Sequence, residues 1–400
     1  MGLSDLIFPS AKISFFHSAH TVEFKRNKPD SKIRSTTSFA DVCRSSTPPS
    51  CQLNPILFNG HLQTVWTVLS PRDIPIHYKR KIFESENRTY HGQFSVDFVV
   101  APHRSTVGAQ ATDTYLSHNA LPPRTSYFTA KEFLNLPSDD RTPMLIVLHG
   151  LSGGSYEGYV REFLAPMVSV SRGWEACVVN ARGCAQTEVT SEYLYNARST
   201  WDVRQTICLL RSLFPNRPLF GVGFSIGANI LAKYLAEEGS TCLLEAAVLC
   251  SNPWNLETSA LALKQTWIGL EVYMRTMGTN MRNICMTNIE QLSKNPRVDV
   301  ASVKKIIYLH EFDRDVQCPT WGYSSEDAYY RDASSDSVIL DIKVPFLAIN
   351  AEDDPIAVKE AIPYSAFAKT DYGVLCTTSW GGHLGWFELN GSRWLTTMVS

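Results

Sequence analysis

The chain has 400 residues, 44% of them hydrophobic, with 37 Lys and Arg against 39 Asp and Glu and a formal net charge of −2 at pH 7. That length can bury a large core as one α/β domain with an extension. A balance so near neutrality, with no long run of either sign, suggests neither nucleic acid nor an anionic membrane surface as a principal partner. Ten cysteines are scattered without a CxxC spacing, and Cys177, Cys208 and Cys250 stand in apolar runs. They read as reduced core thiols of an intracellular protein rather than a disulfide framework. No grouping of His and Cys has zinc-ligand spacing, so neither a metal nor another cofactor is implied.

Met1 to Leu6 lacks the basic and continuously apolar regions of a signal peptide, and no window of about 18 uninterrupted apolar residues predicts a membrane span. A cytosolic location is the default expectation, and peripheral association with a lipid surface is compatible with it. Residues 1–50, mixed polar and basic, read as an extension leading into a domain over 51–400. From Lys81 to Ser85 and from Gln93 to Val100, where Phe94, Val96, Phe98 and Val100 alternate, the sequence predicts an antiparallel hairpin at the edge of a sheet. A Thr- and Ser-rich stretch over about 103–127 reads as a loop.

Short apolar runs of the buried parallel kind follow: Met144 to Leu148, Ala176 to Val179, Leu219 to Val222, Ala246 to Leu249, Pro345 to Ile349 and Val374 to Cys376. Helical patterns over Trp201 to Leu213 and Ile226 to Leu235 separate some of them. This is the alternation of a mostly parallel, doubly wound α/β sheet. The interval from Asn252 to about Ser335 breaks the alternation and is rich in Trp, Tyr, Met and Leu. It fits either a helical lid over about 252–335 or ordinary helices packed on the sheet.

Gly223-Phe224-Ser225-Ile226-Gly227 sets a serine between glycines, directly after one apolar run and directly before a helical one. Strand, tight turn and helix make the nucleophile elbow of an α/β-hydrolase fold, in which the serine sits strained at the top of the sheet. A free hydroxyl is a poor nucleophile at neutral pH and needs a base. His383, in Gly381-Gly382-His383-Leu384-Gly385 beyond the last predicted strand, stands where this fold carries one. The acid that orients the imidazole is expected in Glu352-Asp353-Asp354-Pro355, directly after a strand. Asp354 is the first choice because Pro355 and Ile356 suit a tight turn; Asp353 is its rival. The oxyanion hole is expected from the Ile226 N–H and from the Leu151 N–H in the loop His149-Gly150-Leu151-Ser152-Gly153-Gly154. His149 is expected to prop that loop. His310 and Asp315 form an HxxxxD spacing that reads as a chance match.

With these residues in place the chain resembles AB hydrolase family 4, and within it the fungal medium-chain fatty acid ethyl ester synthases/esterases. The resemblance covers about residues 52–395. It rests on Asn59-Gly60-His61-Leu62-Gln63-Thr64, on His149 to Gly154 with Tyr156-Glu157, and on Asn180-Ala181-Arg182-Gly183-Cys184. The Gly223–Gly227 elbow, Tyr329-Tyr330-Arg331-Asp332-Ala333-Ser334-Ser335, Asp353-Asp354-Pro355 and Gly381–Gly385 complete it. It implies serine-dependent acyl chemistry through Ser225, His383 and Asp354 or Asp353. The implied substrates are an acyl ester or acyl-CoA, with water or an alcohol as acceptor. Two readings stay beside it: a pathway-specific hydrolase or acyltransferase of fungal secondary metabolism, and a catalytically dead fold serving as a binding protein.

Overall fold

A run such as Met144–Leu148 has no polar residue to turn toward water, so it is stable only as a strand covered on both faces; all five of its residues are buried. The structure, a computed structural model, describes residues 10–26, 35–70, 72–102 and 120–399. Its sheet strands are β1 (Ile13–Phe16), β2 (His77–Glu84), β3 (Gln93–Val100), β4 (Thr125–Tyr127), β5 (Met144–Leu148), β6 (Glu175–Asn180), β7 (Leu219–Phe224), β8 (Ala246–Cys250), β9 (Phe346–Ala351) and β10 (Gly373–Thr378). The longer helices are α1 (Phe39–Ser46), α2 (Gly60–Leu69), α3 (Gly158–Met167), α4 (Thr200–Leu213), α5 (Ile226–Glu238), α6 (Leu256–Gln265), α7 (Arg275–Thr287) and α8 (Glu326–Ala333).

The described residues fall into two units, one drawn from Met1–Pro71, Val222–Ser259 and Ser334–Ser400, the other from Arg72–Gly221 and Ala260–Ala333. In the first unit the strand order is β1-β10-β9-β8, followed by the C-terminal end of β7. β8, β9 and β10 run parallel, with Val248 opposite Leu347 and Leu347 opposite Val374. Within this unit α5 is buried along the whole of Gly227–Leu235, as its nearly continuous apolar sequence requires of a core helix. It packs on β8 and on the turn Asp336–Asp341.

The polar N-terminal segment contributes to this unit. Ile13–Phe16 pairs antiparallel with β10, Phe16 opposite Leu375, and α1 buries Phe39, Ala40 and Cys43. Four residues of strand in a polar setting carry too little periodicity to be read from sequence; pairing with β10 creates the strand.

In the second unit the order is β5-β6-β3-β2-β4. β5 and β6 are parallel, and the predicted hairpin is present as β2 and β3, with Glu84 opposite Gln93 and Arg80 opposite Asp97. The hairpin is not the outermost element. Thr125–Tyr127, expected as loop, forms β4 and pairs parallel with β2, Tyr78 opposite Thr125; residues 120–124 of that expected loop carry no strand, and 103–119 lie outside the described residues. The backbone donors and acceptors left on β2 recruit a segment whose own sequence has no strand signal. Residues 260–333 are helical, and Met281 and Cys285 of α7, with Val303, Ile306, Phe312 and Val316, close over Cys184, Val189, Leu194 and Tyr195. Leu261, Trp267 and Ile268 stay exposed. Among the described residues no helix is long and apolar enough to cross a membrane.

Candidate active site

Ser225 joins β7 to α5 with φ 54° and ψ −123°, a left-handed conformation that an L-residue adopts only when its surroundings impose it. Two neighbours do so. The Ser225 N–H donates to the Cys250 carbonyl at 2.9 Å, and a Cβ on Gly223 would stand 2.5 Å from the Ala228 Cα and 2.6 Å from the Gly227 carbonyl oxygen. Only glycine at 223 lets strand and helix meet. Ile226 is the first residue of α5, so its N–H has no acceptor within the helix.

Ser225, Asp354 and His383 all belong to the first unit. His383 Nδ1 lies 2.8 Å from Asp354 Oδ2, and His383 Nε2 lies 2.8 Å from Ser225 Oγ. An ionised carboxylate only accepts, so Nδ1 carries the proton in that pair and Nε2 presents a lone pair to the serine hydroxyl. All three groups are buried, the Asp354 side chain completely. Its other oxygen, Oδ1, accepts the N–H groups of Ile356 and Ala357, each at 2.8 Å, which fixes the carboxylate and turns Oδ2 toward the imidazole.

Asp353 goes elsewhere. Its Oδ1 accepts the N–H groups of Gly381 at 2.9 Å and Gly382 at 3.0 Å, while its Oδ2 is buried without a hydrogen-bond partner. Burial pushes this carboxyl above its usual range, against the opposing pull of the two glycine N–H groups, and the neighbouring Asp354 charge adds to the rise.

The loop after β5 belongs to the second unit and is tied down residue by residue. Gly150 N–H donates to the Tyr159 hydroxyl at 2.8 Å, Ser152 N–H to the Tyr195 hydroxyl at 2.9 Å, and Ser155 N–H to Asn180 Oδ1 at 3.0 Å. The Ser155 hydroxyl donates to Asp97 Oδ2 at 2.6 Å. Asp97 is held in turn by a two-pronged pair with Arg80, at 2.6 and 2.7 Å, and both side chains are fully buried. Leu151 sits half-buried within this loop and packs on the core that α7 closes. The HxxxxD spacing, read as a chance match, forms no such arrangement: the Asp315 carboxylate is taken by Arg314 at 2.7 and 3.0 Å.

The family described as alpha/beta hydrolase fold matches residues 143–282. A monoacylglycerol lipase of Saccharomyces cerevisiae is 38% identical over 351 residues, which span 85% of this chain and 77% of that one. The chain belongs to the α/β-hydrolase family. The hydrolase is also 29% identical over 385 residues to the medium-chain fatty acid ethyl ester synthase/esterase 2 of S. cerevisiae, spanning 87% of this chain and 84% of the relative. Among solved structures, an esterase from Pyrococcus furiosus aligns with a TM-score of 0.43 at 13% identity, covering 78% of this chain and 87% of its own.

Two groups in the hydrolase escaped sequence reasoning. Asp97 falls on the polar positions of the alternating strand Gln93–Val100, where the pattern marks it as solvent-facing, yet the structure buries it fully, and a buried carboxylate needs a partner. Thr64 lies in the Asn59–Thr64 motif, but nothing in the motif said what its hydroxyl does: it accepts the N–H of His383 at 2.8 Å, across 319 residues of chain.

His149 of the hydrolase uses both ring nitrogens, Nδ1–H donating to the Gly150 carbonyl at 2.7 Å and Nε2 accepting Ala181 N–H at 3.1 Å. Its complete burial lowers its pKa to about 4. Below the ordinary value near 6.5 the unfolded chain takes up a proton that the folded protein refuses until about pH 4. Stability from this group is therefore full above pH 6.5 and falls by on the order of 3 kcal/mol as the pH drops toward 4. Urea denaturation between pH 7 and 4.5 should show a shallower pH slope for His149→Gln than for wild type; equal slopes would remove His149 as a source of acid sensitivity.

Proposed function

We propose that the hydrolase is a serine-dependent acyl ester hydrolase of lipid-type substrates that can also pass the acyl group to an alcohol. The observation that carries this reading is the unbroken hydrogen-bonded series from Ser225 Oγ through His383 to Asp354, each link at 2.8 Å. His383 Nε2 takes the hydroxyl proton as Ser225 Oγ attacks the carbonyl carbon of an ester or thioester. Asp354 holds the imidazole in the needed tautomer and stabilises the imidazolium. The Ile226 N–H, with no helical acceptor, donates to the oxyanion; the Leu151 N–H is the second donor that the sequence leads one to expect. The imidazolium returns its proton to the departing alkoxide or thiolate, leaving an acyl-serine.

Water or an alcohol then gives its proton to His383 Nε2 and attacks the acyl carbonyl; the bond to Ser225 Oγ breaks, the imidazolium returns the proton to Oγ, and an acid or a new ester leaves. The names of the two S. cerevisiae relatives, a monoacylglycerol lipase and a medium-chain fatty acid ethyl ester synthase/esterase, support monoacylglycerols and medium-chain ethyl esters as substrates; acyl-CoA as a second acyl donor rests on the family resemblance of the sequence.

A fluorophosphonate probe should label the wild type covalently and leave Ser225→Ala unlabelled. Equal labelling of the two, or none of the wild type, overturns the serine mechanism. A chain-length series of p-nitrophenyl esters, monoacylglycerols and acyl-CoAs, run with and without ethanol, should show hydrolysis of the esters and ethyl ester formation from acyl-CoA. A labelled enzyme inert toward all of them overturns the lipid-ester reading and leaves the serine chemistry standing.

A further inference from the structure

α2 is inverted relative to an ordinary surface helix. Its buried positions are Gly60, Gln63 and Thr64, whereas Trp66, Val68 and Leu69 are exposed. Surface helices bury an apolar stripe, and an amide and a hydroxyl are tolerated inside only when they find hydrogen-bond partners. Both do, and each has one partner on the loop that carries His383.

Thr64 Oγ1 donates its one proton to the Gly60 carbonyl at 2.6 Å, which leaves a lone pair for the His383 N–H at 2.8 Å. Gln63 Oε1 accepts the Phe387 N–H at 2.8 Å while its amide nitrogen donates to the Leu57 carbonyl at 3.1 Å. Gly60 makes the approach feasible, since a Cβ there would overlap the carbonyl oxygen of Asp353. From the opposite direction Asp353 Oδ1 takes the Gly381 and Gly382 N–H groups. The loop is thus gripped just before the histidine by a carboxylate, at the histidine by a hydroxyl, and four residues later by an amide.

We infer that Thr64 is a positioning residue for His383, fixing the imidazole's backbone so that Nε2 remains within hydrogen-bond reach of Ser225 Oγ. This rests on the serine mechanism proposed above. The imidazole hangs from its Cα by two rotatable bonds, so a backbone shift at 383 is transmitted to Nε2 almost undiminished. A misplacement of about 1 Å at a reacting group costs up to about 100-fold in rate.

Thr64→Val keeps the shape and removes both hydrogen bonds; Thr64→Ser keeps the hydroxyl; Thr64→Ala serves if the valine variant does not fold. Fluorophosphonate titration counts competent serines in each preparation, and kcat is expressed per titrated site. The expected result is a fall of about 10- to 100-fold in kcat per site for Thr64→Val or Thr64→Ala, KM within about twofold of wild type, and recovery to within about threefold in Thr64→Ser. A merely structural hydroxyl would lower Tm and the number of titrated sites but leave kcat per site unchanged, and that outcome overturns the inference. If wild type is not titrated at all, the serine mechanism itself has failed, so the two failures are separable.

Discussion

Asp354→Asn lowers kcat by on the order of 10⁴, while Asp353→Asn lowers it less than about tenfold. The carboxylates are adjacent in sequence and differ in what their oxygens reach. Asp354 Oδ2 accepts from His383 Nδ1 at 2.8 Å with Oδ1 locked by two backbone N–H groups. An amide at 354 can present its NH2 to Nδ1, which then must be unprotonated, and the wrong tautomer leaves Nε2 unable to accept the serine proton. At 353 an amide oxygen still accepts the two glycine N–H groups that Oδ1 accepts now. Because burial already disfavours the ionised form of Asp353, the neutral amide should also raise the denaturation midpoint at pH 7 relative to wild type. Steady-state kinetics on one activated ester decides the matter. Equal, mild losses in both variants would remove Asp354 from the relay.

The largest stability effect is expected at Asp97. Its pair with Arg80 is fully buried, and Asp97 also accepts from Ser155 at 2.6 Å and from Asn180 at 2.9 Å. Asp97→Asn leaves the guanidinium inside the protein without a counter-charge, a change that destabilises by about 3–5 kcal/mol in comparable buried pairs. Arg80 keeps the Ala185 carbonyl at 2.6 Å and the amide oxygen as neutral acceptors, but neither balances its buried charge. The double variant Arg80→Met, Asp97→Leu removes both charges and should recover most of the loss, because burying the pair is itself costly. Urea denaturation of the three proteins tests this. An Asp97→Asn protein within about 1 kcal/mol of wild type would mean that the pair contributes little to stability.

The network has a second consequence through Ser155. Its side chain is anchored on Asp97 and its N–H on Asn180, so the loop containing Leu151 is held at its far end by the same group that neutralises Arg80. The sequence shows each of these residues but not their convergence, since Arg80, Asp97, Ser155 and Asn180 come from three strands and a loop.

Local signals were enough for much of the architecture. Five- and six-residue apolar runs are strands because no other structure hides both faces of so short a segment, and their alternation with helical patterns sets the fold class. Ser225 was legible because its strain needs a glycine at 223 and a helix immediately after, all within a few residues. Two of the three thiols read as core were legible for the same reason, since Cys177 and Cys250 lie inside apolar strands and are buried. Cys208 is instead exposed on α4, because an apolar run in an amphipathic helix still turns one residue in each turn to solvent. Segments without such periodicity were not legible. Ile13–Phe16 and Thr125–Tyr127 are strands only because a neighbouring strand offers unpaired backbone groups.

At the site the same division holds. The types and order of nucleophile, acid and base are properties of short motifs, and the sequence by itself determined that Ser225, an aspartate of the 353–354 pair and His383 would be the candidates. Which aspartate meets the imidazole, and that Thr64 grips the histidine's backbone, were decided only by tertiary structure. Both depend on contacts closed across long stretches of chain, 29 residues for Asp354 and 319 for Thr64. A hydrogen bond fixes a side chain to within a fraction of an ångström, and no spacing of residue types carries information that fine until the backbone has folded.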